Sequence, residues 1–392
     1  MCGITGFQRR PGCAPGLDLS AAVRAIRHRG PDAQGERVEG DSGLGHTRLS
    51  IIDLSQAGAQ PMASPDERYL IAFNGEIYNF AELRSDLEKK GERFNGHSDT
   101  EVLLRLFMVA GFEACLERLR GMFALAILDR AEDTLYVARD RLGVKPLVYA
   151  ETGDAFLFGS EIASLFALDP GLSRAVDHQA LDLYLSFQYI PSPHSGFKAV
   201  RKLEPAHALV VRGGRIQRHF RYWDVDLERR TTLSYAEAQE ALREQVLEAT
   251  RLRLVSDVPL GAFLSGGVDS SITVAAMARL TDQPVKTYSI GFDDPAFDET
   301  RYARQAAEFL ATDHHEMQVT PRAAELLPRI VAHHGEPFAD NSALPSYYVS
   351  EFARRSVTVA LTGDGPDEVF GGYRRFTHAL RMDRLDGLGL LP

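Results

Sequence analysis

The chain has 392 residues, 44% of them hydrophobic and 25% charged, and a formal net charge of -10 at neutral pH. That length exceeds what one core usually serves, so two domains are expected. The mild acidity argues against a nucleic-acid surface, which would carry a basic stripe, and no apolar run approaches the roughly 20 residues of a membrane span.

The start, Met1-Cys2-Gly3-Ile4-Thr5, lacks the basic stretch, apolar run and cleavage site of a secretory signal. Cys2, Cys13 and Cys115 are too few for a disulfide framework in a chain of this length. The cytoplasm is therefore the expected compartment, where a free thiol persists.

Residues 1–205 read as mixed strands and helices punctuated by glycine. Tyr69 to Tyr78 is a strand-like run broken by the turn dipeptide Asn74-Gly75. Phe80 to Gly91 has helical spacing at Leu83 and Leu87, with Gly91 as the C-terminal cap. Gly121 to Asp129 is an apolar run suited to a strand buried on both faces, and Leu135–Ala138 and Phe156–Phe158 are further strands. The pattern predicts layered α+β structure rather than strict βαβ alternation. Residues 206–233 are basic and irregular and read as a connector with a hairpin.

A helix starts at Ser234, where Glu237 gives capping-box spacing, and continues through Ala238, Leu242, Val246 and Ala249. Strict alternation follows. Strands are predicted at Val258–Leu264, Val285–Phe292, His315–Val319 and Val357–Leu361. Helices are predicted at Asp269–Leu280, Asp298–Leu310, Pro321–His333 and Pro345–Arg355. This alternation predicts a doubly wound parallel sheet over 234–392, with ligands beyond the carboxyl ends of its strands.

Cys2 has a special property. Removal of Met1 places its thiol on a residue with a free α-amine, which can serve as general base for that thiol. Hydrolysis of an amide there needs a cation for the substrate α-carboxylate, and Arg48 supplies a fork. It needs a carboxylate for the α-ammonium, and Asp99 is suitable. It needs donors for the oxyanion, and the Asn74 side chain with the Gly75 N–H would make a two-donor hole.

The segments Met1–Ile4, Arg27-His28-Arg29-Gly30-Pro31-Asp32, Gly45-His46-Thr47-Arg48-Leu49-Ser50, Asn74-Gly75-Glu76-Ile77-Tyr78-Asn79 and Gly159-Ser160-Glu161 resemble the class II, N-terminal-nucleophile glutamine amidotransferases. Their order and spacing are similar to the asparagine synthetase branch. The resemblance is dense to about residue 165. It implies a four-layer αββα Ntn-hydrolase domain with Cys2 as nucleophile. It also implies a glutamine pocket in which Leu49, Ser50, Ile51, Ile52 and Glu76 join Arg48, Asn74, Gly75 and Asp99. His28 and Asp32 read more readily as residues that fix a loop, and Glu76 reads either as a glutamine-binding residue or as one that buttresses the Asn74-Gly75 turn.

Leu264-Ser265-Gly266-Gly267-Val268-Asp269-Ser270-Ser271 lies between a predicted strand and helix. Its glycines let successive N–H groups face one point, its serines add donors, and the helix N-terminus adds positive potential. This is an anion cradle without the Gly-Lys-Ser/Thr ending of the usual P-loop. Asp269 within it makes sense if Mg²⁺ bridges the carboxylate and phosphates. The motif resembles the pyrophosphate loop of ATP pyrophosphatases. A partner segment, Leu361 to Tyr373, resembles the family's Ser-Gly-(Asp/Glu)-Gly-small-Asp-Glu pattern ending in Gly-Gly-Tyr.

By that resemblance Asp367 is the second Mg²⁺ ligand with Asp269, and Asp364 lies beside an acyl-adenylate as a base for ammonia addition. Thr362 and Gly363 touch the nucleotide, and Leu264 and Ile290 surround the adenine. Two positions depart from the pattern: Thr362 replaces serine, and Pro366 removes one backbone N–H. Synthetases of this family continue for a further helical stretch with a pyrophosphate-contacting lysine, whereas this sequence ends at Leu391-Pro392. The synthetase domain is therefore expected to be incomplete.

The expected domains are a glutamine amidotransferase at 1–205, a connector at 206–233 and a synthetase of the ATP-pyrophosphatase type at 234–392. The expected reaction is glutamine-dependent asparagine synthesis from aspartate and MgATP, with ammonia passed internally and AMP and pyrophosphate released. Amidation of another carboxylate, a shortened chain with glutaminase activity alone, and a regulatory role remain open. A phosphoribosyl or sugar-phosphate amidotransferase is disfavoured, because its acceptor domain needs no ATP loop. The expected partners are glutamine, aspartate and ATP, with no nucleic acid or membrane, and a homodimer is left open. The pairs His314-His315 and His333-His334 read as solvated helix-edge histidines rather than a zinc site. Cys13 and Cys115 read as bystanders; the charged turn Arg139–Pro146 borders, by the family resemblance, the glutaminase site and the domain interface, and reads equally well as purely structural.

Overall fold

The computed structural model describes residues 1–13, 16–295, 298–320 and 322–387. Pro321, the predicted start of a helix, and Leu391-Pro392, where shortening is expected, lie outside the described residues. The chain divides into two compact units. The first is Met1–Thr231 with Ala323–Ala343, and the second is Thr232–Arg322 with the chain from Leu344 onward.

The first unit opens with β1 (Gly3–Arg9), β2 (Ala33–Glu39), β3 (Ser42–Arg48), β4 (Met62–Ala63), β5 (Tyr69–Ile77) and β6 (Gly121–Asp129). It continues with β7 (Thr134–Arg139), β8 (Val148–Glu151), β9 (Ala155–Gly159), β10 (Arg201–Lys202), β11 (His207–Arg212) and β12 (Arg215–Arg221). These form two sheets, in the orders β10-β8-β9-β1-β3-β2 and β12-β11-β7-β6-β5-β4.

Strand alternation builds the layers. In β6, Ala124, Ala126 and Leu128 join Ile4, Leu44, Phe156 and Phe158 in the core between the sheets. Phe123, Leu125 and Ile127 of the same strand face the helices Phe80–Lys89 and Asp99–Ala110. Behind the first sheet, Phe7 and Leu157 pack on the helices Leu19–Ala25 and Ile162–Leu168. The result is the expected αββα arrangement. Burial of β6 on both faces explains its unbroken apolar run.

Two expectations change here. Asn74-Gly75 makes no turn, because β5 runs through it, with Asn74 opposite Ala124 and Gly75 opposite Phe123. Long pairing to β6 overrides the local turn preference of the dipeptide. The hairpin in 206–233 is present as β11–β12, but it is no free connector. β11 pairs β7 from Ala208–Ala138 to Arg212–Thr134, so the second sheet continues past residue 205.

The segment Ala323–Ala343 also belongs to the first unit. The Glu336 carboxylate accepts the Gly196 N–H at 3.0 Å and pairs with Lys202. The Ala339 N–H donates to the Gln188 carbonyl at 3.0 Å. His333 meets the His28 ring edge-on, with centroids 4.5 Å apart.

The second unit contains β13 (Leu260–Phe263), β14 (Lys286–Phe292), β15 (Asp313–Val319) and β16 (Val359–Leu361), in the order β15-β14-β13-β16. Every pairing in this sheet is parallel. Val274, Met277 and Ala307 from two helices pack with Ala262 and Leu264, while Ala353 from another helix packs with Tyr288. The Ser234 capping box forms as expected. His314 and His315 are not helix-edge residues: they sit in β15, where His314 Nδ1 bonds the Thr287 hydroxyl at 2.8 Å and His315 stacks on Tyr288. Thr287 and Tyr288 on the neighbouring strand offer partners that a helix edge would lack.

Candidate active site

Three strands of the first unit deliver the predicted glutaminase residues. Ile4, Leu44 and Ala72 all face the core between the sheets. Because side chains alternate along a strand, residues two and four places along share that face. Cys2 lies two before Ile4, Arg48 four beyond Leu44, and Asn74 two beyond Ala72. β1 and β3 run antiparallel with Gly3 opposite Thr47, which brings Cys2 level with Arg48. The Cys2 sulfur accepts the Leu49 N–H at 3.4 Å. His46 Nε2 donates to the Phe73 carbonyl at 3.1 Å and ties β3 to β5 beside Asn74. Burial drives the His46 pKa down to about 3, so this imidazole is a neutral strut.

The loop after β3 binds the Arg48 fork. The guanidinium donates to the Ser55 carbonyl at 2.9 Å and to the Asp53 carbonyl. The Asp53 carboxylate accepts the His97 N–H at 2.9 Å, which joins this loop to the start of the helix Asp99–Ala110. Asp32 accepts the Ser50 N–H at 2.8 Å, and His28 bonds Glu161 at 2.9 Å. Both therefore do the loop-fixing work expected of them. Arg29 links Glu161, at 2.8 Å, to the Cys2 carbonyl, at 2.9 Å.

Asp99 is buried in the first turn of its helix and accepts the Ile77 N–H at 3.0 Å. Burial raises its pKa to about 6 against the pull of that N–H. Burial also pushes the Cys2 thiol up, against the pull of the Leu49 N–H and the N-terminal amine. Asn74 is 1% exposed, and its Nδ2 has no hydrogen-bond partner among the described residues. An unmade bond to a buried amide costs about 1–3 kcal/mol, so this donor is available to an oxygen that arrives with a ligand.

In the second unit, the two predicted loops leave the carboxyl ends of adjacent parallel strands, β13 and β16. Gly266 has φ +81°, and a Cβ there would lie 2.3 Å from the Tyr302 carbonyl carbon. The Ser265 hydroxyl accepts the Gly267 N–H at 3.2 Å and bonds the Ser270 hydroxyl at 3.1 Å. The helix Val268–Leu280 starts directly after, with Asp269 in its first turn. Gly363 brings the second loop against the first: a Cβ on it would lie 2.6 Å from the Ser270 nitrogen. The cradle therefore meets the Asp364–Asp367 loop, as the parallel topology requires.

Thr362 keeps the hydroxyl of the expected serine and donates it to Asp364 at 2.7 Å. Pro366 stands in the first turn of the short helix Pro366–Phe370, where its missing N–H breaks no helical bond. Leu264 is buried in the core and its N–H bonds the Tyr288 carbonyl at 2.9 Å. Any contact it makes with a nucleotide therefore runs through its remaining backbone.

Sequence reading missed His46, Asp53 and the framework of the Arg139–Lys145 turn. The signal was present in Asp140 and Arg139. The Asp140 carboxylate accepts the N–H groups of Phe123, Leu142, Val144 and Lys145 at 2.9–3.2 Å. The Arg139 guanidinium donates to the carbonyls of Gly143, Lys145 and Leu203 at 2.6–2.8 Å. No helix among the described residues is long and apolar enough to cross a membrane.

Residues 1–223 match the family model of the glutamine amidotransferase domain, and residues 241–389 match that of asparagine synthase. The chain is 38% identical over 387 residues to glutamine-hydrolyzing asparagine synthetase 1 of Bacillus subtilis, covering 97% of this chain and 60% of that protein. It is 37% identical over 405 residues to a protein of Methanocaldococcus jannaschii provisionally named a second glutamine-hydrolyzing asparagine synthetase, covering 98% and 78%. It is 32% identical over 411 residues to the amidase chry2 of Gibberella zeae, covering 96% and 60%. The chain thus spans about three-fifths of the length of two of these relatives.

Proposed function

The chain belongs to the family of glutamine-hydrolyzing asparagine synthetases, and on that premise we propose that it hydrolyses glutamine at Cys2 and uses the ammonia to amidate an adenylated carboxylate, that of aspartate. The observation that carries the first half is the buried Asn74 Nδ2, unpartnered among the described residues, on the inner face of the second sheet, while Cys2 and Arg48 lie on the inner face of the first.

With Met1 removed, the Cys2 α-amine takes the thiol proton. The thiolate attacks the γ-carboxamide carbon, and the carbonyl electrons move to oxygen, which the Asn74 Nδ2–H and the Gly75 N–H hold. Collapse expels ammonia, with the proton returned from the ammonium. Water then cleaves the thioester to glutamate and the free thiol. The remaining guanidinium protons of Arg48 hold the substrate carboxylate and Asp99 its ammonium, while Leu49 to Ile52 and Glu76 line the pocket.

In the second unit Ser265 to Ser271 would cradle the pyrophosphate of ATP, with Thr362, Gly363, Leu264 and Ile290 around the nucleoside. The donor set fits a magnesium–nucleotide complex: N–H groups and hydroxyls for phosphate, and Asp269 and Asp367 for the cation, which would neutralise phosphate charge. Asp364, fixed by Thr362, would accept a proton from the incoming ammonia. The likeness to fungal amidases supports a second reading, in which another carboxylate is the acceptor. Glutamine-dependent AMP release across a panel of acids decides between them. Release with aspartate and formation of asparagine support the first reading, and release with a different acid replaces it.

Two further results are expected. Asn74→Ala lowers glutaminase turnover by about 10²-fold or more, the usual effect of losing one preorganised donor, with little change in glutamine KM. Steady-state kinetics check this. Asp99 must be ionised to hold an ammonium, and its pKa of about 6 means the carboxylate is lost as pH falls through that value. Glutamine KM should therefore rise about tenfold per pH unit below 6 and stay flat from 7 to 8, as a KM–pH profile will show.

A further inference from the structure

Lys145 is 3% exposed, an unusual place for an ammonium. It does not reach out to solvent along its stem as surface lysines do. The Asp140 and Arg139 bonds fix its backbone from both sides. Its Nζ donates to the Met1 sulfur at 2.9 Å, a weak acceptor. The charged groups that bear on it are Arg29 from the turn before β2, Glu76 from β5, Asp140 from its own turn, and Cys2 itself. Those that bear on Cys2 are the N-terminal amine, Asp99 and Arg48.

Met1 is the residue that the proposed mechanism discards. Once it leaves, its sulfur no longer stands against Lys145, and the new chain terminus is the amine of Cys2. A cation at this point acts on both members of the amine–thiol pair. It favours thiolate over thiol, and it disfavours a second positive charge on the amine. The two groups titrate together, so both effects lower the proton affinity of the pair.

We propose that Lys145 is a positioning residue for the nucleophile: after Met1 is removed, its buried cation keeps the Cys2 amine unprotonated and stabilises the Cys2 thiolate that forms. The inference rests on the reading of Cys2 as the glutaminase nucleophile. It gives the Asp140–Arg139 framework a purpose, since a less rigid turn would let the lysine swing to water. Burial, with Arg29 beside it, lowers the Lys145 pKa to about 8. Its charge is therefore present at pH 7 and fades above 8.

The test uses the full chain, with loss of Met1 verified by intact mass. The rate of Cys2 alkylation by iodoacetamide is followed from pH 5 to 10 by peptide mass, alongside glutaminase kcat and KM. Lys145→Met should raise the alkylation midpoint of Cys2 by about one pH unit and lower kcat at pH 7 about tenfold, with glutamine KM within about twofold. Lys145→Arg should restore at least about half of kcat and the wild-type midpoint. Lys145→Gln replaces the methionine variant if that one does not fold, with the same expectation. A folded neutral variant with an unchanged midpoint overturns the proposal. So does an arginine variant as impaired as the neutral one, because packing would then explain the effect. If Cys2→Ala keeps its glutaminase activity, the nucleophile reading has failed. If Cys2→Ala is inactive and the midpoint does not move, the Lys145 proposal alone has failed.

Discussion

Cys2→Ala abolishes glutamine hydrolysis, with a loss of about 10⁴-fold or more, and leaves amidation driven by added ammonia unchanged. The expected size follows from what the substitution removes. Without the sulfur there is no covalent intermediate, and what remains is substrate binding and the Asn74–Gly75 donors. Alanine is small, so Met1 is still removed and the sheet is not disturbed, and what the sulfur gives up are weak bonds with the Leu49 carbonyl at 3.5 Å and the Leu49 N–H at 3.4 Å. The ammonia-dependent reaction survives because the loops proposed for it belong to the second unit. Glutamate release and ammonia-driven AMP release, measured on one preparation, check both halves. Glutaminase activity near the wild-type level would refute the nucleophile.

Asp269→Asn and Asp367→Asn each remove ATP-to-AMP conversion, by about 10³-fold, and spare glutaminase. Both residues stand in first turns of helices after adjacent parallel strands, and Gly363 presses one loop onto the backbone of the other. Two carboxylates in such a place repel each other unless a cation is present, and the nucleotide brings one. Asparagine keeps the shape and deletes the charge, so the loss should appear as weaker magnesium-dependent ATP binding by calorimetry as well as lost AMP. Normal ATP binding with either variant would refute the shared cation site.

Much of this was legible in the sequence because it is local. The apolar run of β6, the Ser234 capping box and the glycines around Ser265 state their structures within a few residues. Cys2 and the Ser265–Ser271 segment stand out as candidates for the same reason: each carries its own chemistry. What the sequence hid depends on distant partners. Asn74-Gly75 spells a turn until β6 pairs with it. The residues past 205 look like a connector until β7 offers an edge. His314 and His315 look solvated until Thr287 and Tyr288 lie beside them. Asp140 looks like one more charge in a charged turn. Its four N–H partners, three of them within five residues and one from β6, show it to be the turn's centre.

The segment Ala323–Ala343 bears on how the chain is made. The ribosome delivers residues in order, and domains tend to fold as they emerge. The twelve strands described in the first unit are out by Arg221, but Glu336 and Ala339, which bond Gly196 and Gln188, follow more than a hundred residues later. At about 5–20 residues per second this is a wait of roughly 5–20 s. During it Lys202 has no Glu336 to pair with and His28 has no His333 against its ring. A nascent chain released before residue 343 would hold the complete Cys2 face and an unfinished flank, which limited proteolysis of stalled chains would detect as cleavage near Gln188 to Lys202.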